Sequence, residues 1–324
     1  MNIVCKWLCV GINPAARPGK GKAQIQHSLQ RLISAFILFF CTSLAASAAS
    51  FELPPLMQPA SSEHHPGKVI WVDLVTSDLD GAKRFYSSLF GWTYKDVNAG
   101  ELNYAIALLD GRPVAGLFSR QPPRDESKRP AWLTFIAVPD VDATTQLSVK
   151  NGARILFQPR TYPKRGRQAV FADPQGAVFA VLASASGDPP DVLALPGEWI
   201  WSSLITTDPD NDAAFYQTLF GYTVFPQPAD DGQEHLLLAT DDSARASINP
   251  LPANAPKQRP HWLNFVRVTD AVATAAQVKM LGGRVLVEPR PDRHGGQVAV
   301  VADPAGAVFG LLEWVDSDNK EVAK

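Results

Sequence analysis

The sequence predicts an α+β protein built from two tandem domains of the same architecture. Segments of the first half return 130 residues later, so that Phe85–Gly91 reappears as Phe215–Gly221 and Asp173–Phe179 as Asp303–Phe309. The order strand, helix and then several strands also occurs twice in each half. A chain of 324 residues is ordinary in composition, with 46% hydrophobic and 19% charged residues, and each half is long enough to bury its own core.

The first 48 residues are predicted to be a signal peptide. Residues 1–31 contain five basic and no acidic side chains, and they precede the apolar run Leu32–Leu44 and the small-residue triplet Ala46–Ala48. This order is typical of secretory leaders, and a run of 13 residues is too short to span a bilayer comfortably. We therefore expect an exported protein, periplasmic or secreted, that meets a membrane only through its cleaved leader.

Cysteine and charge usage exclude several functions for the remaining chain. Cys5, Cys9 and Cys41 all lie in the leader, so the exported protein would have no disulfide, thiolate nucleophile or cysteine-bound metal. Without the five basic residues of the leader, 25 basic and 32 acidic residues remain, a net charge of −7. Nucleic acid is therefore not expected as a partner.

Composition also divides the remaining chain. Residues 49–67 are rich in proline and serine and are expected to form a flexible stem. The predicted parts that follow are a first domain at 68–183, a linker at 184–197, a second domain at 198–316 and a charged tail at 317–324.

Each domain opens with a predicted strand and an amphipathic helix. The strands are Val69–Val75 and Trp199–Ile205. Ser77 or Asp78 can cap the first helix, and Gly91 suits its left-handed end. Residues on one face of this helix are apolar, namely Ala82, Phe85, Tyr86, Leu89 and Phe90. In the repeat, Asp208 caps the helix and Pro209 takes its first position.

The pattern then restarts within each domain. In the first domain, strands are predicted at Asn103–Leu109 and Pro113–Phe118, and another at Trp132–Val138. A weaker helix runs from a cap at Asp140 to Asn151-Gly152. The remaining strands are Arg154–Phe157, Ala169–Ala172 and Val178–Leu182, with a tight turn at Asp173-Pro174-Gln175-Gly176.

These motifs together resemble the vicinal oxygen chelate superfamily, which includes glyoxalases, bleomycin-resistance proteins and extradiol dioxygenases. The resemblance rests on the leading strand, the FYxxLFG helix end, the strand–V-x-D helix start and the DPxGAVF turn, and it covers nearly all of residues 68–315. It implies that each domain pairs two βαβββ modules into a curved, cup-like sheet. It also implies a divalent metal in the cup of the family's enzymes.

The residues at the implied metal-ligand positions cannot serve as ligands. These positions fall at Trp71, Leu133 and Ala180 in the first domain and at Trp201, Leu263 and Gly310 in the second. None of these side chains can coordinate a metal, and a shift of one residue offers no better set. We therefore predict no metal site and no cofactor, although the resemblance leaves a divalent metal open.

Alternation along the strands predicts which side chains line each cup. The first cup receives Trp71, Asp73 and Phe135, and the second receives Trp201, Ser203 and Phe265. Apolar walls with few polar groups are typical of small-molecule sites. Packed cores look the same, so the aromatic side chains could simply fill the cups.

Asp73 is the best catalytic candidate, because a carboxylate beside Trp71 and Phe135 would be partly desolvated and its pKa raised unless a cation pairs with it. It could act as a base or anchor an amine of a ligand. The alternative is a buried, non-catalytic Asp73 whose carboxylate is hydrogen-bonded by backbone N–H groups or paired with Arg167. Arg167 is therefore included among the candidate ligand-binding residues. The repeat changes Asp73 to Ser203 and Arg167 to Gln297, which indicates one working cup, although divergence without function would also produce it.

Three functions follow as hypotheses. The first is an exported protein that binds a small hydrophobic or aromatic molecule in a cup lacking the usual metal ligands. The second, which the resemblance implies, is a metal-dependent lyase, isomerase or dioxygenase with non-standard ligands. The third is a scaffold for a partner in the cell envelope. The sequence leaves open whether the protein is an enzyme.

Overall fold

The computed structural model describes residues 52–99, 102–119, 130–228, 235–241, 243–251, 259–292 and 295–315. The predicted signal peptide and the charged tail lie outside these residues. Within them, no helix combines the length and apolarity that a membrane span requires.

Two eight-stranded sheets account for most of the described chain, one in each repeat. The first sheet contains β1 (Val69–Thr76), β2 (Thr93–Ala99), β3 (Leu102–Leu109), β4 (Arg112–Ser119), β5 (Ala131–Ala137), β6 (Arg154–Tyr162), β7 (Gly166–Ala172) and β8 (Val178–Ser184). The second contains β9 (Trp199–Thr206), β10 (Thr223–Gln227), β11 (His235–Thr240), β12 (Ser243–Pro250), β13 (His261–Val268), β14 (Arg284–Pro291), β15 (Gln297–Ala302) and β16 (Val308–Glu313). The helices are α1 (Leu79–Phe90), α2 (Val141–Lys150), α3 (Pro209–Phe220) and α4 (Ala271–Met280).

The sheet order confirms the predicted α+β fold with two paired modules in each repeat. The first sheet runs β2-β3-β4-β1-β5-β8-β7-β6, and the second repeats this order from β10 to β14. Strand β1 pairs in parallel with β4 and antiparallel with β5. The seam between the two modules of a domain is therefore the β1–β5 pair, which brings both leading strands to the centre of the sheet.

The helix ends follow the sequence signals. Asp78 rather than Ser77 caps α1, and its side chain accepts a hydrogen bond from the backbone N–H of Gly81. Gly91 ends the helix at φ 75°, a left-handed conformation that glycine adopts without steric cost. Asp208 and Pro209 take the corresponding places at the start of α3.

The helix-facing cores differ from the expectation of one separate core for each half. Phe85, Tyr86 and Leu89 of α1 pack in one cluster with Val266, Phe309 and other residues of the second repeat. The reciprocal cluster joins α3 to residues of the first repeat, including Phe171 and Phe179. The first helix of each repeat thus completes its core against the second module of the other repeat, so the two domains fold as partners.

Polar contacts also tie the repeats together at equivalent positions. The hydroxyl of Tyr86 donates to Oδ2 of Asp303 at 3.2 Å, and the hydroxyl of Tyr216 donates to Oδ2 of Asp173 at 2.9 Å. Each aspartate belongs to the DPxG turn of the other repeat. The repeated FYxxLFG and DPxGAVF motifs are therefore two halves of one contact between the repeats.

The segment predicted to be a flexible stem makes specific contacts in its described part. Leu53 and Leu56 are buried against the first sheet, and the backbone N–H groups of Leu56 and Met57 donate to Oγ of Ser186 at 3.0 and 3.1 Å. The proline and serine content of this segment indicated a loop, but two leucines within it pack against the apolar face of the first sheet, because burial removes their side chains from water.

Candidate functional site

The first cup contains three of the predicted site residues. Trp71 and Phe135 belong to one apolar cluster on the face of the first sheet that is turned away from the helices. Asp73 lies beside them on β1 and is also buried. Strand alternation thus predicted the face correctly, because Val72 and Leu74, which intervene, join the helix-facing core.

Asp73 is held by its neighbours in the cup. Its Oδ1 accepts hydrogen bonds from Nε1 of Trp71 at 2.8 Å and from the hydroxyl of Tyr104 at 2.9 Å. Gly116 makes room for this arrangement, since a Cβ there would lie 2.0 Å from both Asp73 Oδ1 and the Tyr104 hydroxyl oxygen. Burial raises the pKa of Asp73, although Arg165 and the two hydrogen bonds act in the opposite direction.

The cation in the first cup is Arg165 rather than the predicted Arg167. Arg167 points to the surface, where its Nε and Nη2 donate to Asp142 at 2.8 and 2.7 Å. Arg165 is only 2% exposed, and its guanidinium carbon lies 4.4 Å from the centre of the Trp71 ring. Strand alternation could not identify Arg165 as a cup residue, because Arg165 lies in the turn before β7 and the turn sets the direction of its side chain. In the sequence, the signal was the break in the repeat at this position, where Gly295 replaces Arg165.

The mouth of the first cup is covered by the chain itself. Leu53, Leu56 and Met57 pack in the same cluster as Trp71 and Phe135. The carbonyl of Pro54 accepts a hydrogen bond from Nε of Arg165 at 2.7 Å. Access to Asp73 and Trp71 from outside would therefore require these residues to move.

The second cup contains three further predicted residues. Trp201 and Phe265 pack with Leu263, Val298, Val300 and other apolar residues on the corresponding face of the second sheet. Ser203 lies beside them and is buried. The ring of Phe265 covers Gly310, where a Cβ would lie 2.0 Å from its Cδ1 atom.

A row of neutral polar side chains crosses the second cup. Oγ of Ser247 accepts a hydrogen bond from Nε1 of Trp201 at 3.0 Å and lies 2.7 Å from Oγ of Ser203. Asn249 approaches the same oxygen through Nδ2 at 3.4 Å, and its Oδ1 lies 2.8 Å from Nδ1 of His235. Trp201, Ser203, Ser247, Asn249 and His235 thus form one connected network.

The sequence analysis missed three members of this network because the repeat spacing changes locally. Asp73 pairs across the sheet with Gly116, whereas Ser203 pairs with Ser247, which lies 131 residues after Gly116. The β11–β12 hairpin is therefore displaced by one residue relative to the anchors. His235 occupies the place of Tyr104, and the displacement puts the polar residues Ser247 and Asn249 on the cup face.

The side chains at the family's metal-ligand positions do not fit a metal ion. Trp71, Leu133 and Ala180 lie together on the first sheet, as do Trp201, Leu263 and Gly310 on the second. These residues are neighbours, as the resemblance implies, but none has a side chain that can bind a metal. The two tryptophans have indole rings, Leu133, Leu263 and Ala180 are aliphatic, and Gly310 has no side chain. Nowhere in the described ranges do three or more His, Cys, Asp or Glu side chains cluster as a metal site would require.

Comparisons with known proteins agree with this architecture. Residues 68–181 match the glyoxalase/bleomycin resistance protein/dioxygenase superfamily, and residues 202–312 match a glyoxalase-like domain. The chain is 35% identical over 258 residues to the putative glyoxylase CFP32 of Mycobacterium tuberculosis, covering 79% of this chain and 98% of the relative. It is 33% identical to the anthracycline biosynthesis protein DauV of a Streptomyces species, covering 76% and 94% of the two chains.

Solved structures share the fold at lower identity. A Mn(II)-bound glyoxalase from Novosphingobium aromaticivorans superposes with a TM-score of 0.55 at 20% identity, over 79% of this chain and 85% of the other. A 2,2',3-trihydroxybiphenyl 1,2-dioxygenase from Sphingomonas wittichii gives a TM-score of 0.52 at 15% identity, over 79% and 94%. With both repeats matched and a relative covered almost end to end, the chain belongs to the glyoxalase/bleomycin resistance protein/dioxygenase, or vicinal oxygen chelate, superfamily as a tandem two-domain member.

Proposed function

We propose that the protein is an exported small-molecule-binding member of this superfamily, and that its second cup holds a neutral hydrophobic or aromatic molecule. The observation that carries the proposal is the partly exposed ring of Trp201 on the apolar floor of this cup, beside a row of neutral polar side chains. Export rests on the leader pattern of the first 48 residues and on the cysteine-free sequence that follows.

The two cups differ in how far a ligand could reach them. In the first cup, Ile70 and Trp71 are buried, at 5% and 6% exposure. Their counterparts Ile200 and Trp201 are only partly buried. No described residue of the stem packs in the second cluster. The second cup therefore offers the larger accessible apolar surface.

The chemistry of the second cup indicates the class of ligand. Trp201, Leu263 and Phe265 provide an apolar floor on which an aromatic ring can pack. Ser203, Ser247 and Asn249 provide neutral donors and acceptors that can orient it. Because none of the side chains in this network carries a permanent charge, a neutral ligand avoids an unpaired buried charge. The relative DauV is named for anthracycline biosynthesis, and anthracyclines are aromatic molecules.

Calorimetric titration with 2-naphthol, which has an aromatic body and one hydroxyl, tests this proposal. We expect saturable binding, and we expect Trp201→Ala to weaken it at least tenfold because the variant loses the floor of the cup. The matched control is Met280→Ala, which removes an exposed apolar side chain at the end of α4, outside the cup. Equal affinity in the wild type and Trp201→Ala would refute binding at this cup, provided that both proteins show the same circular dichroism spectrum.

A further inference from the structure

The first cup is occupied by part of its own chain. Leu53 and Leu56 are 5% and 4% exposed and pack with Met57 into the cup cluster. The segment is held at its far end by Ser186, whose Oγ accepts the backbone N–H groups of Leu56 and Met57. The other side-chain ties of the segment are the hydrogen bond from Nε of Arg165 to the Pro54 carbonyl and an exposed ion pair between Glu52 and Lys164 at 2.6 Å. Few polar contacts hold these residues, so an external molecule could compete with them.

Arg165 shows what kind of group the cup recognises. Its Nε donates to the carbonyl of Pro54 at 2.7 Å. Its Nη2 is buried and has no hydrogen-bond partner. A buried N–H without an acceptor is unfavourable, and a guanidinium can present two parallel donors to one group. The Pro54 carbonyl therefore satisfies only part of the donor capacity that Arg165 directs into the cup.

The charges of the cup indicate a neutral partner for Arg165. Asp73 is buried in the same cup and interacts electrostatically with Arg165. A carboxylate ligand would bring a second negative charge next to Asp73, and burying it would be unfavourable without a further cation. A carbonyl oxygen accepts hydrogen bonds from the guanidinium without adding charge, as the Pro54 carbonyl does.

We propose that residues 53–57 act as an internal occupant of the first cup. Once they are displaced, the cup binds a neutral apolar molecule whose carbonyl oxygen replaces the Pro54 carbonyl on Arg165. The aliphatic or aromatic body of the ligand takes the place of Leu53 and Leu56 against Trp71 and Phe135. This site is separate from the second cup, so this proposal can be tested independently of the proposed function.

The test compares two probes that differ only in the acceptor, 2-acetylnaphthalene and 2-ethylnaphthalene. All variants carry Trp201→Ala, so that the second cup does not contribute. We expect Leu53→Ala/Leu56→Ala to bind 2-acetylnaphthalene at least tenfold more tightly than the parent, and at least fivefold more tightly than 2-ethylnaphthalene. Adding Arg165→Met should abolish the preference for the ketone while leaving the affinity for 2-ethylnaphthalene within twofold.

A milder variant protects the test against loss of folding. Ser186→Ala removes the hydroxyl that holds the segment, and it should raise affinity for the ketone in the same direction by a smaller factor. Affinity for 2-acetylnaphthalene that is equal in the parent and in both opened variants would overturn the internal-occupant claim. A ketone preference that survives Arg165→Met, or tighter binding of 2-naphthoate than of the ketone, would overturn the assignment of Arg165 to a neutral carbonyl.

Discussion

Asp303→Ala is expected to destabilise the protein by about 3–5 kcal/mol. Oδ1 of Asp303 accepts the backbone N–H groups of Gly306 and Ala307 at 2.7 and 2.8 Å. Its Oδ2 accepts the hydroxyl of Tyr86 from the other repeat. Alanine would leave the Ala307 N–H in the turn and the Tyr86 hydroxyl in the shared core without their acceptor, whereas the Gly306 N–H would keep the backbone carbonyl of residue 303, at 3.0 Å. Urea unfolding followed by circular dichroism gives the free energy of unfolding.

Two matched variants separate the contributions of the turn and of the contact between repeats. Asp303→Asn keeps one oxygen for the backbone N–H groups, and Tyr86→Phe removes only the hydroxyl that joins the repeats. Each should cost less than Asp303→Ala, with Tyr86→Phe at about 1–3 kcal/mol because Nε1 of Trp132 also loses its acceptor. A loss below 1 kcal/mol for Asp303→Ala would contradict the proposed role of the DPxG aspartate.

Asp212→Ala is expected to stabilise the protein above pH 7, by about 2–4 kcal/mol. Asp212 lies on α3 with Oδ2 buried and unpartnered. Burial raises the pKa of Asp212 to about 7, aided by the negative charges of Asp173 and Asp208 and opposed by a hydrogen bond with Thr206. The first repeat has Ala82 at this position, buried in its core, so alanine fits the fold.

The pH dependence of this gain has a definite sign. The carboxyl of Asp212 titrates near its ordinary value of 3.8 in the unfolded chain and near 7 in the folded one. Between these values the folded protein keeps a proton that the unfolded chain has lost, so the wild type loses stability as the pH rises. The advantage of Asp212→Ala over the wild type should therefore grow from about pH 4 to pH 7 and stay constant above.

Urea unfolding at pH 4, 5.5, 7 and 8.5 measures this difference. Asp210→Ala, which removes an exposed carboxylate from the same helix, is the control and should show no such growth. A gain for Asp212→Ala that is the same at every pH would mean that the buried carboxyl does not titrate between the two values.

Much of the architecture was predictable because it depends on local sequence signals, and each signal occurs once in each repeat. The caps at Asp78 and Asp208, the stripe ending at Gly91 and the alternation of Trp71 and Asp73 all follow from properties of neighbouring residues. The shared cores were not predictable in this way. Periodicity shows that Phe85 and Phe309 face a core, but it does not show that they face each other across the repeats.

The candidate site was predicted less completely, because its polar members depend on turns and register. Arg165 lies in a turn, where alternation gives no direction, and Arg167 two residues later pairs with Asp142 on the surface instead. Ser247 and Asn249 reach the second cup because one hairpin is displaced by a residue. Leu53 and Leu56 stand in a segment whose composition resembles a linker, and only the apolar cup beside them explains their burial.

The central claim is that the second cup binds organic molecules through its own side chains, since the family's ligand positions present Trp201, Leu263 and Gly310. The most direct test is the dissociation constant of 2-naphthol, measured by calorimetry on protein dialysed against a chelator and again after adding one equivalent of Mn(II). We predict the same dissociation constant, within twofold, in both conditions. Binding that occurs only with the metal would contradict this account and favour a metal-dependent enzyme with non-standard ligands.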